Sequence, residues 1–114
     1  MRRLIKATAL CLALTTPASA DLVIQGRDAQ GLHCAAMLTV VAAALMDAGQ
    51  LTPRATNDAA AVAALILYQL PGTQAEKLQA LRQRANKIIA TRSGRQLATE
   101  FSSTSRWCKR EFLS

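Results

Sequence analysis

The chain is poor in the residues that carry most chemistry. Its 114 residues include one histidine, three cysteines, one tryptophan, one tyrosine and two phenylalanines. A serine or cysteine nucleophile would have only His33 as its base, and no serine lies in a Gly-x-Ser-x-Gly turn. There is no Cys-x-x-Cys, no Cys-x-x-Cys-His and no His-Glu-x-x-His, so neither a zinc site nor attached haem is expected. His33 beside Cys34 is no ligand pair either, because neighbours on a helix point about 100° apart. The seven carboxylates are scattered along the chain. The expectation is therefore no catalytic residue, no metal and no cofactor, and a protein that is not an enzyme.

Long polar or low-complexity stretches are also missing. With 51% hydrophobic and 18% charged residues, the composition excludes a disordered tail. The length excludes two domains or a repeat array.

The first twenty residues have the layout of a secretory signal peptide. Arg2, Arg3 and Lys6 form a positive start, Ala7 to Leu14 an apolar stretch, and Ala18-Ser19-Ala20 a small-x-small cleavage site. The apolar stretch is shorter than the ~20 residues that span a membrane. Cleavage after Ala20 and a periplasmic location follow as expectations. Cys11 leaves with the leader, so Cys34 and Cys108 remain. Two cysteines in an exported chain most simply form one intramolecular disulfide. It would close a loop of about 75 residues and, in the chain-entropy model, contribute ~4 kcal/mol.

Residues 21–31 show a short β-branched run, Leu22-Val23-Ile24, and no helical period; they are predicted to form an extended arm. The rest, 32–114, is predicted to be one helical domain. The first helix should run from Leu32 to Ala48 and stop at Gly49. Thr52-Pro53 is an N-cap with proline in the first helical position, opening a helix to about Gln69. Thr73 and Glu76 have capping-box spacing for a third helix ending near Ser93-Gly94. The fourth should cover Gln96 to Phe112. The fold class is thus all-α, an up-down-up-down four-helix bundle. A competing layout joins helices three and four through a kink at Gly94. In either layout Cys34 and Cys108 can meet.

Placing residues at 100° per step gives each helix a face. The fourth directs Leu97, Phe101, Thr104, Cys108 and Phe112 inward, and Arg95, Arg106, Lys109 and Arg110 outward. The third carries a stripe of Leu78, Leu81, Ala85, Ile88 and Ile89. The second directs Ala59, Val62, Ala63, Ile66 and Leu70 inward, and Ala61, Ala64, Leu65 and Tyr68 outward. The first has no charge from Cys34 to Met46, with Ala36, Thr39 and Ala43 opposite its inner face. Because four helices of a small bundle cannot all be central, apolar surface on the first two is expected to face outward.

Charge divides the same way. Residues 21–71 hold two basic and four acidic side chains, and residues 72–114 hold nine and three. In general plan the chain is similar to small exported, single-disulfide, all-helical bacterial proteins, such as acid-stress chaperones and immunity proteins against amidase toxins. That likeness rests on size, leader and cysteine placement, and it carries over no functional residue. The expected function is binding: a protein-interaction module of inhibitor, immunity or chaperone type, or a homodimer. The candidate contact residues are Leu65 and Tyr68, and Trp107 with Arg106, Lys109 and Arg110 around it. The alternative is a carrier or a protein of an anionic membrane surface. Nucleic acid is not an expected partner.

Overall fold

The computed structural model describes residues 24–114. Residues 1–23, where the signal peptide and the start of the arm are expected, lie outside the described residues. Four helices and no strand are present among them: α1 (Gly26–Asp47), α2 (Pro53–Tyr68), α3 (Gln74–Thr91) and α4 (Gly94–Leu113).

The helix ends follow local chemistry. At the end of α1, Gly49 takes a φ of +76°, its N–H donates to the Met46 carbonyl (3.0 Å), and the Gln50 N–H donates to that of Leu45 (2.7 Å). These two bonds are a Schellman motif, and the left-handed residue at its centre favours glycine. The Thr52 hydroxyl accepts from the Ala55 N–H, with Pro53 following at the first helical position. Thr73 and Glu76 form the expected capping box. A second box, Ser93 with Gln96, starts α4 directly after the extended residue Arg92. Helices three and four are therefore separate, and Gly94 lies in the first turn of α4 rather than at a kink.

The expected arm at 21–31 is overturned from Gly26 onward, where α1 already begins. Tertiary contacts override the weak helix preference of a segment with two glycines. The Arg27 guanidinium lies 4.3 Å from the Phe112 ring centroid, pairs with the Glu111 carboxylate (3.5 Å) and donates to the Glu111 carbonyl. Gly31 is already buried against Leu70 and Phe112.

α1 is the central helix. It packs against all three others; α2 also meets α4, whereas α3 rests on α1 and barely touches α2 or α4. Leu32, Cys34, Val41, Ala42, Leu45 and the run Ala35-Ala36-Met37-Leu38 are all buried. Ala36 was expected to face outward, yet it is fully buried, because partners surround α1 on several sides. The helix is also long and apolar enough to cross a membrane by length and composition, but more than half of that stretch is buried inside the bundle, as in the core helix of a soluble protein. Its middle, Met37–Val41, is wound as a π-helical turn, where the Thr39 hydroxyl bonds back to the Ala35 carbonyl (2.7 Å). Met37, Leu38 and Val41 within this turn are all fully buried.

The other helices each offer one stripe to α1. Ala59, Ala63, Ile66 and Leu70 come from α2 and its end; Leu81, Ala85 and Ile88 from α3; Leu97, Phe101, Cys108 and Phe112 from α4. Fully burying a side chain such as Ile66, Ile88 or Leu38 contributes roughly 1.5–3 kcal/mol. Leu78 and Ile89 were expected in the α3 stripe but are exposed. With α1 as the sole main partner, α3 buries only a narrow strip, and residues at its edges stay outside.

Cys34 and Cys108 form the disulfide, with Cα atoms 5.8 Å apart and the residues 74 positions apart in sequence. It joins the first half of α1 to the last turns of α4, which run antiparallel. Arg27 meets Glu111 at one end, and Leu45 and Leu97 share a groove at the other.

Candidate contact surfaces

Leu65 and Tyr68 project from the side of α2 opposite its buried stripe. Tyr68 is 86% exposed and Leu65 57%. Ala61 and Ala64 complete the positions i, i+3, i+4 and i+7 of the same face, and both are exposed. No charged residue occurs from Ala59 to Ala75, so the last turns of α2 carry no charge of their own; Asp58 and Arg54 continue this face one and two turns earlier. The last turn of α2 is held in place from two sides. The Gln69 side-chain amide donates to the Phe112 carbonyl (3.0 Å), and the Lys77 ammonium donates to the Leu67 carbonyl (2.9 Å). Tyr68 thus stands on a fixed support.

Trp107, Arg106, Lys109 and Arg110 do not form one patch. Trp107 is half-buried, edge-on to Phe112 with ring centroids 6.3 Å apart. Trp107 and Arg110 line an open groove of about 420 Å³ together with Ser103 and Thr104 of α4 and with His33 and Cys34 of α1. Arg106 and Lys109 are exposed and do not line that groove. Leu65 and Tyr68, on α2, do not line it either.

The structure places His33 half-buried in this groove. Desolvation, with the guanidinium charges of Arg84 and Arg92, holds it below its usual 6.5; Glu100 opposes the shift. Glu100 itself pairs with Arg92 at 3.0 Å, clasping the α3–α4 junction. One sequence signal bears on the position of His33 once the cysteine pairing and the helix directions are known. His33 and Trp107 each precede a disulfide cysteine by one residue. Stepping back one residue turns about 100° around each helix. In an antiparallel pair those two rotations are of opposite hand to a common viewer, so both side chains arrive on the same side of the disulfide.

A second open groove, of about 450 Å³, lies between the end of α1 and the start of α4, lined by Ala44, Leu45, Leu97 and Ala98 among others. No group of His, Cys, Asp and Glu side chains among the described residues could hold a metal ion.

Comparison with known protein families, with curated proteins and with solved structures found no match to this chain.

Proposed function

We propose that this chain is an exported up-down-up-down helical bundle, stapled by one disulfide, that works by binding another protein through the outer face of α2. The observation that carries this reading is the exposure of Leu65 and Tyr68 on the last turns of α2, which contribute no charged side chain. Tyrosine on a fixed support is a favoured interface anchor, since it adds contact area at little entropic cost. The same face is a poorer fit to a lipid surface. An interfacial helix places lysine and arginine beside its apolar side, and α2 has no basic residue after Arg54. The leader sequence and the disulfide support export to an oxidising compartment.

The test pairs native mass spectrometry of the protein from its own periplasm with the variant Leu65→Ser/Tyr68→Ser. The wild type is expected as a complex with a second protein or a second copy. Removing the anchors should weaken that complex by about thirtyfold or more. The unfolding midpoint should stay unchanged, since neither side chain is in the core. A variant that keeps the complex at full affinity would rule out this face, and a wild type that remains monomeric at every concentration would rule out the reading.

A further inference from the structure

We propose that the groove between α1 and α4, walled by His33, Thr104, Trp107 and Arg110, is a binding site for a single carboxylate carried on an apolar body. The inference is independent of the α2 face and survives or fails without it.

Three observations carry it. The first is shape: the groove holds about 420 Å³, has Cys34 in its lining, and joins one aromatic wall to a polar one. A space of that size suits a small aromatic or aliphatic acid, or one chain-end residue.

The second is charge. Two carboxylates occur on this flank of α4, and each already has its own arginine: Glu100 has Arg92 at 3.0 Å, and Glu111 has Arg27 at 3.5 Å. Arg110, within the groove, and Arg84, beside His33 on α3, make no ion pair among the described residues. The groove therefore carries unmatched positive charge, one guanidinium of it in the wall itself.

The third is the chemistry of the lining. A guanidinium meets a planar carboxylate with two parallel hydrogen bonds, a fit that an ammonium cannot make. The Thr104 hydroxyl has no side-chain hydrogen bond among the described residues, so it is available as a further donor. Trp107 offers a ring to the apolar body and is held by its edge contact with Phe112. His33 adds a hydrogen-bonding group, its pKa held below the usual 6.5 chiefly by desolvation. The groove lining itself holds one guanidinium, which matches a single carboxylate.

Trp107 is the sole tryptophan, so its fluorescence and its indole N–H report on this groove alone. The oxidised protein is titrated with phenylacetate and, separately, with phenylacetamide, its neutral counterpart. Phenylacetate is expected to give a saturable millimolar response at Trp107 and His33, and the amide to bind at least about tenfold more weakly. Arg110→Gln should weaken phenylacetate about tenfold, while Lys109→Gln, outside the groove, should leave it unchanged. Acetyl-Ala-Phe with a free chain end, set against its amide, distinguishes the source of the carboxylate. Tighter binding of the dipeptide acid assigns a peptide chain end, and tighter binding of phenylacetate assigns a small free acid. Equal binding of acid and amide, equal loss in the two variants, or no saturable response overturns the proposal.

Discussion

Gly31 of α1 lies against the ring of Phe112 near the end of α4. A Cβ placed on Gly31 would stand 3.3 Å from Phe112 Cε1 and 3.0 Å from Leu70 Cδ2. Alanine there gains about 1 kcal/mol of helix preference. Crowding opposes that gain, and the tip of Leu70 can turn aside, whereas Phe112 is held between Trp107 and Arg27. Gly31→Ala is expected to change stability by less than about 1 kcal/mol. Gly31→Val, with branches that the ring cannot avoid, should cost about 2 kcal/mol or more. Urea midpoints of the three proteins check this ordering, and a valine variant as stable as the wild type contradicts the packing.

The disulfide should dominate the stability of the molecule. Its sulfurs belong to residues 1% and 0% exposed, and it links positions 74 apart. Replacing both cysteines by alanine is expected to lower stability by about 4 kcal/mol in the chain-entropy model. Total stability of a small domain is about 5–15 kcal/mol, so that loss is a large share. Although Cys34 borders the groove, both residues are almost wholly buried, so dithiothreitol is expected to act chiefly through opening of the bundle. Thiol release should therefore accelerate with urea in step with unfolding; release at one constant rate across the transition would show that the bond is reachable in the folded state.

His33 makes stability depend on pH in a definite direction. Its folded pKa lies below 6.5, chiefly through desolvation and then through Arg84 and Arg92. Between the folded value and 6.5 the unfolded chain binds more proton than the folded one, so stability rises with pH across that window. The contribution is complete above 6.5 and declines as pH falls toward the folded value. The imidazole proton resonances should titrate with a midpoint below 6.5. Arg84→Gln should raise that midpoint partway, because burial remains, whereas Glu100→Gln should lower it. A midpoint at or above 6.5 in the wild type would contradict the placement of His33.

Much of the secondary structure was legible because its signals are local. The cap residues Thr52 and Thr73 act within three positions of themselves; the same spacing in Ser93 and Gln96 is obscured because Ser93-Gly94 reads as the end of the third helix. The inner faces of α2 and α4 were readable because each helix has one partner side, and a single apolar stripe then maps onto it. The outward direction of Leu65 and Tyr68 follows from the same rule.

α1 was harder to read for the opposite reason. Its apolar residues run around the whole helix, so periodicity could not say which side meets which partner. Its start at Gly26 depends on Glu111 and Phe112, more than eighty positions away, and its π-helical turn gives no simple sequence pattern. The placement of α3 on α1 alone, which exposes Leu78 and Ile89, is likewise a property of packing. The groove beside His33 needed two facts together: which cysteines pair, and that their helices run antiparallel.

The sequence by itself determined where α2 and α3 begin, and that Cys34 and Cys108 lie on inward faces of the first and last helices. Those are consequences of backbone caps and 3.6-residue periodicity, each complete within a short stretch of chain. Only the tertiary structure decided that α1 is central, that α3 packs on α1 alone, and that His33 shares a groove with Trp107 and Arg110. Those outcomes depend on which surfaces the helices have left to bury once they meet, a competition among residues far apart in the chain.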